Sequence, residues 1–217
     1  MSGDNRRSVP DNWVTGVVFT NHPVYSSAVA ADLQKRLHTP TAATAGWSKV
    51  GAESLASPCP TVQIRPVTQE GHPANGQCGL FATKHLTPGS FILPYVGFIH
   101  TNAPEDTDAE SDYDLSMDRE LGVSVDAGRM GNEARFVNDY RGVADSPNAE
   151  FQDCWIQIPP GEGQSRSRWE RRIGIFVLGS GKAGKRRRGI SPGEEILINY
   201  GRSFWAERKA QGKGQVM

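Results

Sequence analysis

The run Gly179-Ser-Gly-Lys-Ala-Gly184-Lys185-Arg186 has the spacing of a loop that cradles phosphates with backbone N–H groups and a lysine. Such a loop needs Ser or Thr after the lysine to hold magnesium, and Arg186 stands there. It also needs a helix whose N-terminus faces the phosphates. Gly189 and Pro192-Gly193 break any helix within a few residues. A dinucleotide version asks for an acid about 20 residues further on, where Asn199 stands instead. The expected structure is therefore a Gly/Lys/Arg hairpin loop. Its basic cluster (Lys182, Lys185, Arg186, Arg187, Arg188) is of the kind read as a nuclear-localisation patch, and residues 182–188 also offer a surface for nucleic acid. Cys59, Cys78 and Cys154 are odd in number and far apart, which argues against a disulfide framework and a Cys-only zinc site. No metal is expected. Asn138 ends the apolar run Arg135-Phe136-Val137, and a buried amide there needs partners, which a ligand's ammonium or a turn would each supply.

The 217 residues that must position these groups make one ordinary domain with a small attachment. Twenty-four Gly and fourteen Pro point to turns and short strands, and away from a helical bundle. No apolar run approaches the ~18 residues of a membrane span, and no membrane association is expected. The N-terminus lacks the apolar stretch of a signal peptide, so an intracellular protein is the expectation. Residues 1–60 read as an attachment. Ser26 is placed to cap a helix over Ser27–His38, in which Val29, Leu33 and Leu37 share one face. The following TPTAATAGWSKVGAESLASPCP reads as a loop or linker. Strands are expected over 62–67, 79–82, 91–96, 122–125, 135–137, 155–158, 173–178 and 195–200. No strand–helix alternation of the doubly wound kind is present. The net charge of zero hides an asymmetry: residues 101–160 carry fourteen acids and four bases, and 161–217 carry thirteen bases and five acids. The acids are densest at 105–120, which would steer a cationic partner. Solvated loops of opposite sign would look the same.

Three separated segments share a resemblance. They are NGQCGLFATKHLTPGSFILPYVGFI (75–99), VDAGRMGNEARFVNDYRG with SPNAEF after it (125–151), and RGISPGEEILINYGRSFW (188–205). In this order and spacing they resemble the SET domain of protein-lysine methyltransferases, over roughly residues 60–206. The resemblance implies a mainly β protein with short helices, the SET-domain β-clip fold with a pseudoknot-like C-terminal threading. The boundaries it suggests are an attachment over 1–60, a SET domain over 61–206 and a tail over 207–217. It implies S-adenosylmethionine as cofactor and a basic protein segment, such as a histone tail, as substrate. A chromatin role in the nucleus follows, with the cytoplasm as the alternative location.

The same resemblance assigns roles. Tyr200 places its hydroxyl beside the methyl and the incoming amine, and Tyr95 is a second aromatic at the reacting centre. Gly76, Gln77, Cys78 and Gly79 bring backbone to the cofactor, which glycine permits. Asn138, Asp139, Arg135 and Phe136 belong to the cofactor segment, and Tyr113 matches the aromatic before Asp114-Leu115. Phe204 and Trp205 would stack on the adenine or close the lysine channel. Asp112, Asp114, Ile198 and Trp205 are the substrate-side candidates. Ile198 lacks the hydroxyl that holds a methylation-limiting water in some relatives, which leaves room for a di- or trimethylated amine.

Departures from the family pattern keep rivals open. Asp139 and Tyr140 replace the usual His and its neighbour, adding negative charge near a sulfonium. About four extra residues precede Pro147-Asn148, and no Cys-rich tail follows Trp205. An active histone methyltransferase, a catalytically weak SET-fold chromatin module and a methyltransferase for a non-histone protein all fit these residues.

Overall fold

A computed structural model describes residues 9–160, 165–181, 188–201 and 204–205. The basic residues at 182–187 and the tail over 207–217 lie outside the described residues. Arg188 is described, and its guanidinium meets both oxygens of Glu194 at 3.1 Å.

The longest feature is a hairpin. Strand β12 (Ala149–Ile158) and strand β13 (Arg168–Val177) pair antiparallel from Ala149 opposite Val177 to Ile158 opposite Arg168. Ile173, Ile175, Phe176 and Val177 are all buried, since both faces of this strand end are covered. Strand β6 (Phe91–Pro94) pairs antiparallel with β13, and β3 (Ser48–Val50) pairs parallel with β12. A second four-stranded sheet runs in the order β2 (Val24–Tyr25), β7 (Phe98–Thr101), β9 (Val123–Asp126), β8 (Asp114–Asp118). Three two-stranded pairs complete the sheets among the described residues. β4 (Val62–Pro66) joins β5 (Cys78–Ala82), β1 (Val18–Phe19) joins β10 (Met130–Gly131), and β11 (Asn138–Asp139) lies parallel to β14 (Leu197–Ile198).

Several expectations are corrected. Residues 135–137 are not a strand: Glu133–Phe136 is a 3-10 turn, entirely buried. Its N–H groups close locally, Arg135 onto Asn132 and Val137 onto Ala134. The strand expected over 195–200 shrinks to Leu197–Ile198, because the Asn148 side chain brackets it, taking the Leu197 N–H and donating to the Glu195 carbonyl. The helix, α1, covers only Ala31–Leu37, with Ala30 at its N-cap. Ser26 is unavailable as the cap: its hydroxyl donates to Asp106 and accepts the Ala28 N–H. The apolar stripe nevertheless packs as expected, with Val29 and Leu37 buried and Leu33 against the core. Burying each side chain fully is worth about 1.5–3 kcal/mol.

The stretch read as a linker contributes β3, whose Val50 is buried, and two 3-10 turns (Ala42–Thr44 and Ala52–Ser54). Three strands from the first fifty residues thus pair with strands of the rest. The main core cluster draws together Val29, Leu37 and Cys59 with Leu80, Ile99, Val125, Ile175 and Ile198.

Candidate active site

Tyr95 follows β6 and is buried. Its hydroxyl donates to the Tyr113 carbonyl at 2.7 Å, and its ring meets Phe151 edge-on at 5.4 Å. Burial pushes this hydroxyl well above the ordinary tyrosine range; Tyr200 and Asp126 act in the same direction, against Arg135. Tyr95 is therefore a neutral phenol at any physiological pH. Tyr200 donates its hydroxyl to the Val137 carbonyl at 2.7 Å. Its ring lies edge-on to Phe204 at 4.7 Å and stacks on Trp205 at 6.3 Å. The fold thus brings Tyr95, Tyr113 and Phe151 into contact from three distant segments, with Tyr200 near enough to act on the Tyr95 hydroxyl electrostatically. Phe151 stands in the SPNAEF segment, and only its position opposite Tyr95 reveals its place in the group.

Asn138 is oriented by acceptors. Its Nδ2 donates to Glu195 Oε1 at 2.8 Å and, more weakly, to the Cys78 carbonyl at 3.4 Å. The other Glu195 oxygen lies 3.0 Å from His72 Nε2. His72 Nδ1 accepts the Ala74 N–H, so the proton sits on Nε2 and points at the carboxylate. With Nδ2 so committed, Asn138 presents Oδ1 as an acceptor. A Cβ on Gly79 would fall 2.4 Å from Glu195 Oε1 and 3.1 Å from Asn138 Nδ2, so only glycine fits there. Gly76, at φ +82°, turns the chain just before, with Gln77 exposed and Cys78 half-buried. Glu195 lies within the resembling segment but carried no role; His72 gave no sequence signal.

Asp139 is a hub. Its carboxylate accepts the Tyr200 N–H at 2.7 Å, the Arg141 N–H at 2.9 Å, the Trp205 indole at 3.4 Å and Arg141 Nη1 at 2.8 and 3.0 Å. The extra negative charge expected near a sulfonium is thus countered by Arg141. The side chains of Arg135 and Phe136 are turned into the core. Arg135 donates Nε to the Ala127 carbonyl at 3.0 Å and lies over the Tyr113 ring at 4.3 Å, with Trp13 and Phe136 also close.

The substrate-side candidates separate. Asp112 is exposed. Asp114 lies 3.2 Å from His100 Nε2, and burial raises its carboxyl against the pull of His100. Ile198 has no exposed surface. Two cavities lie elsewhere. One of about 200 Å³ is lined by Leu55, Cys59, Leu93, Ile156 and Arg172, and one of about 420 Å³ lies beside Asn12 and Arg65.

The family model described as SET domain matches residues 77–201, more than half of the chain, and the chain belongs to that family. SET domains are protein-lysine methyltransferases whose usual cofactor is S-adenosylmethionine. The fold is of the expected class: the described residues form mainly strands, with one helix and short 3-10 turns. Among solved structures, the chain is similar to the Chaetomium thermophilum polycomb repressive complex 2, at 22% identity and a TM-score of 0.45, over 66% of this chain and 15% of that one. It is also similar to "ctPRC2 in an autoinhibited conformation bound to S-adenosylmethionine", at 20% identity and a TM-score of 0.46, over 70% and 17%. The chain spans less than a fifth of the length of these structures' chains. A search of curated proteins gives no significant match.

Proposed function

We propose that this chain transfers methyl groups from S-adenosylmethionine to lysine side chains of a basic protein segment, with a histone tail as the first substrate to try. The observation that carries this reading is the convergence of two groups. The Tyr200 hydroxyl sits on the Val137 carbonyl, next to an Asn138 whose amide is held so that Oδ1 is presented.

The residues fit the cofactor. Asn138 Oδ1 suits an ammonium group, the Gly76–Gly79 backbone allows close approach, and Phe204 and Trp205 supply faces for an aromatic base. The cofactor brings an electrophilic methyl on a sulfonium, and its transfer is an in-line displacement. The chain's task is alignment, which needs little covalent chemistry. The lysine must also arrive neutral. An ordinary lysine has a pKa near 10.4, so deprotonation at pH 7.5 costs ~4 kcal/mol. Tyr95, Phe151 and Tyr200 would exclude water from the ammonium and lower that cost. Phe151 and Ile198 have no hydroxyl with which to hold a water beside the amine, so addition of two or three methyls is the expected outcome. The exposed acids near Asp112 would draw in a basic peptide. We take residues 61–206 as the catalytic unit, with 1–60 as an attachment woven into its sheets, and assign the protein to the nucleus on the basic cluster at 182–188.

The rival reading, an inert binding module, is motivated by the charge of Asp139 and by the missing Cys-rich zinc clamp; Arg141 counters the first of these. Radiolabel transfer from S-adenosylmethionine to core histones and to whole extract tests the proposal. Label on a histone lysine supports it, label only on other proteins moves the substrate, and no transfer with folded protein sinks it.

A further inference from the structure

Arg141 stands in the segment that departs most from the family pattern, two residues beyond Asp139. Its guanidinium reaches two acceptors on two different strands' ends. Nη1 donates to both Asp139 oxygens, and Nη2 donates to Asn199 Oδ1 at 3.1 Å. Each acceptor in turn holds one backbone N–H of the same turn. Asp139 Oδ2 takes the Tyr200 N–H at 2.7 Å, and Asn199 Oδ1 takes the Gly201 N–H at 2.9 Å. Gly201 has φ +90°, so the chain reverses there and needs its N–H groups held from outside a ladder. The guanidinium also lies 5.1 Å from the Tyr140 ring centre and 6.0 Å from that of Trp205. The Asp139 side chain is 5% exposed and that of Arg141 32%, so the ion pair is shielded on the acid's side. Asp139 has a second tie to the same region through the Trp205 indole.

We infer that Arg141 is a positioning residue: by bridging Asp139 and Asn199 it locks the Tyr200–Gly201 turn, and so fixes the Tyr200 hydroxyl and the Trp205 ring at the site. The inference rests on the methyltransferase reading only for its consequence in turnover. The clamp itself is a statement about two amide groups. A planar guanidinium is suited to this because it serves two acceptors at once in fixed geometry, which an ammonium does not. Removing it leaves a buried carboxylate short of its charge partner, and the turn then loses one of its two fixed points.

The test combines amide hydrogen exchange with kinetics on the full chain. Arg141→Met keeps the stem and removes the fork. The Tyr200 and Gly201 amides are expected to exchange about tenfold faster or more, with the β12–β13 amides unchanged. Turnover is expected to fall about tenfold, while KM for the peptide moves little, because the misplaced group acts on chemistry. Arg141→Lys should recover part of both effects. Unchanged exchange at Tyr200 and Gly201 overturns the clamp. Faster exchange with normal turnover overturns the positioning role. If Arg141→Met loosens the whole molecule, Asn199→Ala, which removes the acceptor shared by the Gly201 N–H and Arg141 Nη2 and leaves the Arg141–Asp139 pair in place, is judged by the same two readouts. If the unaltered chain transfers no methyl, the exchange result still decides the clamp, and the failure belongs to the proposed function.

Discussion

Glu195 Oε1 lies 2.8 Å from the amide nitrogen of Asn138, and this contact decides which end of that amide faces outward. The carboxylate is itself held by His72, a residue outside the span matched by the family model. The expected consequence is that Glu195→Ala weakens binding of S-adenosylhomocysteine about tenfold, equivalent to about 1.4 kcal/mol. Asn138→Ala should weaken it at least as much. Calorimetry on folded variants checks this, and unchanged affinity in Glu195→Ala would show that Asn138 needs no such support.

Tyr200→Phe removes one hydroxyl and its bond to the Val137 carbonyl while keeping the ring contacts to Phe204 and Trp205. Turnover should fall by ~10²-fold, the scale for a positioned polar group acting in the transition state, with cofactor affinity retained. Near-normal turnover would move the chemistry to another residue.

The acidic stretch 105–120 divides into structural and solvent-facing acids. Asp106 accepts the Thr101 N–H at 2.7 Å, the Thr101 hydroxyl at 2.9 Å and the Ser26 hydroxyl. Burial alone would raise its carboxyl, but these hydrogen bonds outweigh it and hold it below the ordinary range. Asp106→Ala should lower the unfolding temperature without a specific effect on substrate. Neutralising exposed Glu105, Glu110, Asp112 and Glu120 together should raise KM for a basic peptide and flatten its salt dependence, since exposed charges act collectively at ~0.2–1 kcal/mol each. A KM unchanged at both low and high salt would make the run a solvated face only.

His38 gives a pH dependence. Its ring accepts the Arg171 N–H at Nδ1 and meets the Tyr25 hydroxyl at 2.8 Å through Nε2, with Glu170, Arg168 and Arg172 around it. Burial lowers its pKa to about 4, with Arg172 acting the same way and Glu170 opposing. The unfolded chain therefore binds this proton more readily than the folded one. The contribution to stability is whole above about pH 6.5 and is lost as pH falls toward 4, amounting to roughly 3 kcal/mol. Urea titrations from pH 7.5 to 4 should show this decline, and His38→Gln should flatten it. An equal slope in the variant would assign the decline to other groups.

Chelation should leave the protein folded and its activity intact. Cys59 and Cys154 are buried in separate clusters, and Cys78 lies in β5. Burial pushes the Cys154 thiol up to about 12, far from the thiolate that binds zinc. Stoichiometric zinc, lost together with the thermal transition on adding a chelator, would contradict this.

Motifs that carry their own geometry were legible in the amino-acid sequence alone. The Gly-rich opening, the segment ending in Asn138 and the Tyr200-Gly201 ending name the family, because close backbone approach and turns demand particular residues at fixed places. The apolar alternation of 62–67 likewise marked β4, since a half-buried strand must alternate, and the apolar run of 91–96 after the Thr87-Pro88-Gly89 turn marked β6. Residues 135–137 misled for the converse reason: a short apolar run has no period long enough to separate a strand from a buried 3-10 turn. β8 escaped because its charged residues serve Arg171 and His100, and obscure the alternation. The three N-terminal strands escaped because two or three residues added to an existing sheet need a partner edge rather than a pattern of their own. Only the tertiary structure decided the pairings between distant residues. His72 with Glu195, Tyr95 with Phe151, and Arg141 with Asn199 are set by which chain segments cross, and sequence spacing carries no trace of such crossings. The charge of Asp139 shows the difference most plainly. In the sequence it is an extra negative group beside the cofactor segment, and in the fold it is the neutralised anchor of the Tyr200 turn.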